Sequence, residues 1–193
     1  MKVFIVYAHP NPKSFNHAIL ESFTRGLKDA GHSFEVADLY AMKFDPCLKL
    51  ADFAQFEGKP MPADVLEQQR RVAKADAIVF IYPVWWYDFP AILKGWIDRV
   101  FSNGFAYRIT EKGIEGLLKN KKALLINTAL MSEADYKSSG IENAMRKLMI
   151  DSDLKEACGI HNVKQVFFYS VGATDNETMK KYLETTYRLG KEF

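Results

Sequence analysis

The sequence has few cysteines and no block of like charge. Its 193 residues include two cysteines, Cys47 and Cys158, which lie far apart and form no Cys-x-x-Cys pair. This usage is typical of a reducing compartment, and we expect both thiols to be inert. The 26 basic and 24 acidic residues are scattered and leave a net charge of +2. This charge pattern favours neither a nucleic-acid surface nor a polybasic membrane face, so we expect small-molecule partners.

Long apolar runs are also missing. No stretch reaches the roughly 20 residues of a membrane-spanning helix. The apolar segment 3–8 near the start is too short for the core of a signal peptide. We therefore expect no membrane insertion and a cytoplasmic location. The length suits one α/β domain with a full hydrophobic core, so we expect a single domain over residues 1–193.

Several motifs of nucleotide and metal sites are absent. The chain has no G-x-G-x-x-G after its first strand-like segment and no G-x-x-x-x-G-K-[ST]. These absences argue against a Rossmann dinucleotide site and a P-loop NTPase. The four histidines, at positions 9, 17, 32 and 161, lack ligand spacing such as H-E-x-x-H. We therefore expect no metal site.

Strand-like and helix-like patterns alternate along the chain. Apolar runs predict five strands, at 3–8, 33–39, 77–82, 121–127 and 164–171. Helical periodicity predicts α-helices at 14–30, 63–75, 90–102, 140–150 and 175–190. The alternation predicts an α/β fold in which helices cover both faces of a parallel sheet.

One segment breaks this alternation. Residues 40–62 have no clear period and contain three prolines, so we expect an irregular insertion there. Five strands in a doubly wound sheet admit two common orders. In the flavodoxin-like order 2-1-3-4-5, the winding reverses between the first and third strands. The loops 8–14 and 83–87 would then be neighbours at the ligand-binding edge of the sheet.

The first of these loops leads directly into the first predicted helix. The backbone amides of its first turn, with the Ser14 hydroxyl and the Asn16 amide, can surround a phosphate. In the alternative interpretation, Ser14 only caps the helix and His9 is a structural hydrogen-bonding residue. The loop alone does not decide between the two, and the pairing with the second loop favours the anion site.

The second loop concentrates flat apolar rings. Pro83-Val84-Trp85-Trp86-Tyr87 follows directly on the apolar strand 77–82. A phosphate at the first loop and a flat ring at the second make a flavin nucleotide the simplest ligand. Its isoalloxazine would lie against Trp85, Trp86 and Tyr87, with backbone amides donating to it. The alternative is that these aromatic residues only pack in the core or at an interface.

Further segments match one known family in order along the chain. They are His9, Ser14-Phe15-Asn16, Asp38-Leu39-Tyr40-Ala41-Met42, Pro83-x-x-Trp86, Pro90-Ala91-Ile92-Leu93-Lys94-Gly95-Trp96, Arg99-Val100-Phe101, Phe105-Ala106-Tyr107 and Tyr169-Ser170-Val171-Gly172. Together they cover nearly the whole chain. In this set the chain resembles the NAD(P)H:quinone oxidoreductases with a flavodoxin-like fold.

The resemblance implies a homodimer with flavin sites at the subunit interface and NAD(P)H as the electron donor. Nicotinamide and quinone would take turns over one face of the flavin ring. The match at 38–42 favours FAD, with FMN as the alternative. By position, the residues that would hold the flavin's phosphate and ribityl side are His9, Ser14, Phe15 and Asn16. Those that would hold the ring are Pro83, Val84, Trp85, Trp86, Tyr87, Thr128, Ala129, Leu130 and Met131.

The chain departs from this family at two places and ends before the C-terminal extension of its longer members. Those members carry Gly-Gly where this chain has Leu130-Met131, and glycines let backbone approach flavin and nicotinamide closely. Tyr136 falls where the family has a tyrosine that stabilises negative charge on the reduced flavin, and Glu142 aligns with its partner histidine. A carboxylate cannot act as a cation, so Glu142 is either protonated by its surroundings or gives no such assistance.

The sequence is compatible with two functions of different class. The leading hypothesis is a flavin-dependent NAD(P)H:quinone oxidoreductase, with Tyr136 and Glu142 as its candidate catalytic residues. The alternative is a flavin-binding regulatory subunit, because ancillary proteins of potassium-efflux systems resemble the same family. A one-electron flavodoxin carrier is disfavoured, since such carriers are usually strongly acidic and this chain is slightly basic.

Overall fold

The strands form a five-stranded parallel sheet and a separate antiparallel hairpin in a computed structural model that describes all 193 residues. In chain order the strands and α-helices are β1 (Lys2–Tyr7), α1 (Phe15–Asp29), β2 (Ser33–Asp38), α2 (Ala63–Ala73), β3 (Ala77–Pro83), α3 (Ala91–Val100), β4 (Tyr107–Thr110), β5 (Gly113–Gly116), β6 (Lys122–Thr128), α4 (Glu133–Ser138), α5 (Ile141–Arg146), β7 (Val163–Phe168) and α6 (Asn176–Lys191). A 3-10 helix spans Leu50–Phe56, and a π-helical segment, Lys147–Ala157, continues α5.

The large sheet has the order β2-β1-β3-β6-β7, with every neighbouring pair parallel. Counted along the chain without the hairpin strands β4 and β5, this is the predicted order 2-1-3-4-5. The winding therefore reverses between β1 and β3, and the flavodoxin-like arrangement is confirmed. Each strand's carboxyl end lies at one shared edge of the sheet, where such folds bind ligands.

Both faces of the sheet are buried under helices. In β1, Phe4 and Val6 belong to one core cluster, while Val3, Ile5 and Tyr7 belong to another. The first cluster also contains buried side chains of α2, α3 and α5, and the second contains those of α1 with half-buried residues of α6. This double burial explains the continuous apolar runs in the sequence, since a strand covered on both faces needs no polar alternation.

Two glycines bring α1 and α6 into close contact. A Cβ atom on Gly26 would lie 2.2 Å from the carbonyl oxygen of Tyr187, and one on Gly190 would lie 2.2 Å from that of Phe23. The missing side chains allow the two backbones to touch. The helices thereby cover one face of the sheet together.

The insertion at 40–62 is more ordered than predicted. Its 3-10 helix places Asp52 against Arg99 of α3, and the two side chains form a buried ion pair with Nε–Oδ2 and Nη2–Oδ1 distances of 3.0 and 3.1 Å. Nη1 of Arg99 also donates to Asp64 Oδ2 at 2.7 Å and to the Asp45 carbonyl at 2.8 Å. These long-range partners order a segment that has no periodicity of its own.

Other sequence predictions were wrong at their boundaries or missed an element. The helix predicted at 140–150 begins at Ile141 but continues in the π-helical segment to Ala157, and the hairpin β4–β5 was not predicted. The last strand ends at Phe168 rather than 171, because Ser170 adopts a left-handed φ of 54°. None of the helices combines the length and the apolar composition that a membrane-spanning segment requires. No group of three or more potential metal ligands occurs.

Candidate active site

A cavity of about 550 Å³ lies at the carboxyl edge of the sheet, at the point where the winding reverses. Its 14 lining residues come from the segments that follow β1, β3, β6 and β7. They are His9, Phe15, Asn16, Pro83, Val84, Trp85, Trp86, Tyr87, Thr128, Ala129, Leu130, Met131, Tyr136 and Val171. The volume is in the range of small-molecule and cofactor sites.

The cavity brings together most of the residues predicted from the sequence. Every predicted flavin-binding residue lines it except Ser14, and so does Tyr136. Glu142 does not line it. Val171 lines it without having been predicted, although it lies in the Tyr169–Gly172 segment that matched the family. Its position just after the last strand was the available signal.

At the first loop, Ser14 has the role that the alternative interpretation gave it. Its hydroxyl accepts a hydrogen bond from His17 N at 3.2 Å and caps α1. Asn16 is buried and donates from Nδ2 to Thr128 Oγ1 at 2.7 Å, while its Oδ1 atom has no partner. The backbone N–H groups of Phe15 and Asn16 also find no acceptor in the protein. The start of α1 therefore presents unused donors to the cavity.

His9 combines a structural contact with a free face. Its Nδ1 atom accepts a hydrogen bond from Asn11 N at 3.1 Å. Burial lowers the pKa of His9, although the hydrogen bond from Asn11 opposes this. A neutral ring whose Nδ1 is an acceptor carries its proton on Nε2. His9 can thus donate from Nε2 to a ligand.

The second loop is a tight turn with two aromatic residues at its tip. Trp85 and Asp88 exchange backbone hydrogen bonds of 3.1 and 3.3 Å. Trp86 and Tyr87 between them have left-handed φ angles of 52° and 63°. Such two-residue turns favour Asn and Gly, so bulky side chains here carry a conformational cost. The Trp86 side chain is 94% exposed. Trp86 is therefore not a core residue.

The third loop, Thr128–Met131, is bound to the segment after β7. Ala129 N donates to Phe168 O at 2.9 Å, Val171 N to Ala129 O at 2.9 Å, and Ser170 N to Met131 O at 3.0 Å. The N–H groups of Leu130 and Met131 have no acceptor in the protein. The loop is thus held by one of its N–H groups and two of its carbonyl groups, while two other donors stay free.

Free backbone donors therefore occur in all three of the loops that line the cavity. They belong to seven lining residues: His9, Phe15, Asn16, Trp86, Tyr87, Leu130 and Met131. Unpaired N–H groups in a sheltered site bind ligands rich in acceptors. A flavin nucleotide has anionic phosphate and a flat ring edged with oxygen and nitrogen acceptors. The donors and the aromatic surface together fit such a group.

Tyr136 lies at the inner wall of the cavity. It is buried, and its ring packs edge-on against Tyr87 and Tyr169, with centroid distances of 6.4 and 5.6 Å. Burial, with a smaller contribution from Tyr87, raises the pKa of Tyr136. Its hydroxyl therefore stays protonated at neutral pH. It makes no hydrogen bond to another protein group, so it is available as a donor to a ligand.

Glu142 lies behind this wall and is paired. Tyr169 Oη donates to Glu142 Oε2 at 2.7 Å, and Arg146 Nε donates to Oε1 at 3.1 Å. Burial alone would raise the pKa of Glu142, but the hydrogen bonds from Tyr169 and Arg146 outweigh it and hold the pKa below its ordinary value. Glu142 is therefore ionised, with Arg146 as its countercharge.

Comparisons with known proteins agree with this architecture. A family model described as flavodoxin-like fold matches residues 1–189. The solved structure of the NAD(P)H:quinone oxidoreductase from Methanothermobacter marburgensis has a TM-score of 0.92 and 39% identity, covering 99% of this chain and 98% of that chain.

Two relatives extend the comparison to other organisms. An uncharacterized NAD(P)H oxidoreductase from Haemophilus influenzae is 34% identical, covering 95% of this chain and 91% of its own. NAD(P)H dehydrogenase (quinone) 1 from Cavia porcellus is 32% identical, covering 94% of this chain and 73% of its own. The chain belongs to the flavodoxin-like fold family and, within it, to the NAD(P)H:quinone oxidoreductases.

Proposed function

We propose that this chain is a flavin-dependent NAD(P)H:quinone oxidoreductase whose active site is the cavity at the β1–β3 reversal. The observation that carries the proposal is the set of seven free backbone N–H groups around an aromatic-lined cavity. The lining residues would hold a flavin, which would supply hydride transfer from the reduced nicotinamide to a quinone; with a proton, the quinone would become a hydroquinone.

The chain's own residues would bind and orient the reactants. The free N–H groups of Phe15 and Asn16, with the start of the α1 helix dipole, would bind the phosphate. Trp85 and Trp86 would stack on the ring and exclude water from one side. The N–H groups of the two loops would fix the ring's edge, so that donor and acceptor meet it in one orientation.

We assign the donor role at the ring's edge to Tyr136. Its protonated hydroxyl is free and lines the cavity, so it can stabilise negative charge that develops on a reduced ligand. Glu142 would act through Tyr169, whose ring packs on Tyr136 and whose hydroxyl Glu142 binds. Glu142 is then a positioning residue, because no atom of it lines the cavity.

We favour FAD over FMN as the resident flavin. The support is the match at Asp38–Met42, a turn in which Ala41 N donates to Asp38 Oδ1 at 3.0 Å. This turn follows β2 and lies at the same carboxyl edge as the cavity. This position supports a contact with the second nucleotide of a dinucleotide. Mass analysis of the flavin released from purified protein distinguishes the two cofactors.

We further propose a cytoplasmic homodimer built from one domain, residues 1–193. The cavity rim exposes Trp86 and Leu130, and the hairpin exposes Ile109 and Ile114, which supports coverage by a second copy. Cys47 and Cys158 are free thiols, as in a reducing compartment, although only Cys158 is buried. Sedimentation equilibrium tests the dimer, and a monomer at micromolar concentration would contradict it.

Reduction of the flavin and its reoxidation by a quinone test the activity directly. Under anaerobic conditions, NADH or NADPH should bleach the visible absorption of the flavin-loaded protein. One equivalent of a quinone should restore it. A protein that binds flavin but is bleached by neither nucleotide would contradict the oxidoreductase proposal and leave only flavin binding.

The regulatory alternative has one observation in its favour. The 3-10 helix exposes Leu50, Phe53 and Phe56, none of which lines the cavity. Such residues suit a protein partner. The regulatory function predicts that Phe53→Ala and Phe56→Ala leave NAD(P)H oxidation unchanged and weaken binding to a potassium-efflux transporter. Slowed oxidation in these variants would contradict it.

A further inference from the structure

Three side chains from different segments meet at the β6 side of the cavity. Tyr87 Oη donates to Met131 Sδ at 3.6 Å, and the Tyr87 ring packs against Tyr136. Tyr87 belongs to the turn after β3, Met131 to the loop after β6, and Tyr136 to α4. All three line the cavity, and we refer to them as the Tyr87–Met131–Tyr136 cluster.

Met131 is the member of the cluster whose side chain fills space that a ligand could otherwise occupy. A glycine at position 131 would leave the space of the Met131 side chain to a ligand. The Leu130 side chain is 75% exposed. Its Cδ1 atom lies 4.0 Å from the position of a Cβ on Gly172, toward the loop after β7. Met131, which reaches Tyr87, therefore occupies space at the end of the cavity where the ring is proposed to bind.

The hydrogen bond from Tyr87 determines how readily the Met131 side chain can move away from a ligand. A methionine side chain is flexible and adapts to irregular space, so an unrestrained thioether would move away from a larger ligand. The Tyr87 hydroxyl restrains the sulfur, and Tyr87 itself is fixed by the turn and by Tyr136. The hydrogen bond limits the conformations of the Met131 side chain, so the side chain moves less readily away from a larger ligand.

We propose that Met131, held by Tyr87, is a specificity-determining residue that favours one-ring quinones over fused-ring quinones. The inference rests on the proposed function, since it concerns the acceptor of the same site. A pocket discriminates by the volume that it offers, and one methylene changes the preference by about 10- to 200-fold. The side chain of Met131 is larger than a methylene and lies at the ring-binding end.

The test compares a one-ring benzoquinone with a two-ring naphthoquinone. For flavin-loaded protein with a saturating reduced nicotinamide, the ratio of kcat/KM for the two quinones is measured in each variant. Met131→Gly should shift the ratio toward the two-ring quinone by about tenfold or more. Tyr87→Phe should shift it less and in the same direction, because it removes the restraint but not the volume. Met131→Leu keeps most of the side-chain volume but loses the hydrogen bond to Tyr87, so it should shift the ratio no more than Tyr87→Phe does.

A binding measurement separates size selection from effects on chemistry. Each quinone is titrated into the oxidised, flavin-loaded protein without reductant, and the ratio of the two Kd values is obtained by calorimetry. Met131→Gly should shift this ratio in the same direction as the kinetic ratio. A kinetic shift without a binding shift would overturn the inference.

The outcomes distinguish this inference from the proposed function. If the parental protein reduces both quinones and Met131→Gly leaves both ratios unchanged, only the inference fails. A shift by Met131→Leu as large as that by Met131→Gly would also overturn it. If the flavin-loaded parental protein reduces neither quinone, the proposed function fails and the inference fails with it.

Discussion

The polar groups around Arg99 are hydrogen-bonded and buried, whereas several polar groups at the cavity rim have no partner. Arg99 makes four hydrogen bonds, to Asp52, Asp64 and the Asp45 carbonyl, and its side chain is fully buried. At the rim, the N–H groups of Trp86 and Tyr87 have no partner and the Trp86 ring is exposed. Satisfied polar groups stabilise a fold, whereas unsatisfied ones at a cavity recognise a ligand. We therefore expect substitutions at Arg99 to lower stability and substitutions at the rim to weaken ligand binding.

The largest effect should come from breaking the Arg99 ion pairs. Arg99→Leu leaves Asp52 buried without a countercharge, so we expect the free energy of unfolding to fall by about 3–5 kcal/mol. Urea unfolding followed by circular dichroism measures it. The control is Arg108→Leu, because Arg108 pairs with Glu115 at the surface and such pairs contribute about 0–1 kcal/mol. Equal losses in the two variants would contradict the comparison.

A pair of tryptophan variants sharpens the comparison. Trp86→Ala should weaken flavin binding by about 1–3 kcal/mol, as at other stacking surfaces, and leave unfolding nearly unchanged. Trp96→Ala, in the core, should cost about 3–5 kcal/mol of stability. Calorimetric flavin titration and urea unfolding measure the two quantities.

Phe56→Ala is the control for exposure, since Phe56 is exposed outside the cavity and should alter neither quantity. If Trp86→Ala destabilises the fold and keeps the parental flavin affinity, the rim has no binding role.

Tyr136 should affect the rate rather than the stability. Removing its free hydroxyl in Tyr136→Phe should slow reduction of the flavin by NAD(P)H about tenfold, which corresponds to about 1.4 kcal/mol. Stopped-flow bleaching without oxygen measures this rate. Tyr182→Phe is a matched control, because the Tyr182 hydroxyl binds the Tyr169 carbonyl outside the cavity. A parental rate in Tyr136→Phe would remove Tyr136 from the proposed chemistry.

Glu142 should give the smallest effect, and one that depends on pH. Its pKa is lowered in the folded chain, so its ionised form stabilises the fold above the unfolded value of about 4.3. That stabilisation is lost as the pH falls through the folded-state pKa. The stability difference between the parental protein and Glu142→Gln should therefore shrink from pH 6 to pH 3. A difference that stays constant over this range would show that the ion pair with Arg146 does not form.

The sequence predicted the sheet well because its strands are buried on both faces. Continuous apolar runs such as Ala77–Pro83 are visible without any knowledge of partners. The hairpin β4–β5 was missed because its strands have four residues each and are largely exposed. Exposed short strands have no apolar pattern that distinguishes them from loops.

The candidate site was predictable in its residues and not in its hydrogen bonds. Loop position placed Phe15, Asn16 and Trp86 together, because strand order alone fixes which loops are neighbours. The pairing of Glu142 with Tyr169 joins residues far apart in the chain and leaves no local pattern. The left-handed turn at Trp86 and Tyr87 lacks the Asn or Gly from which such a turn is usually predicted.

Titration of flavin into the flavin-free chain tests the central claim most directly. We expect FAD or FMN to bind with one flavin per chain and to quench the fluorescence of the neighbouring tryptophans Trp85 and Trp86. The same titration on Trp86→Ala should show weaker binding at the same stoichiometry. Absence of saturable binding for both flavins to folded parental protein would contradict the assignment of the cavity as a flavin site.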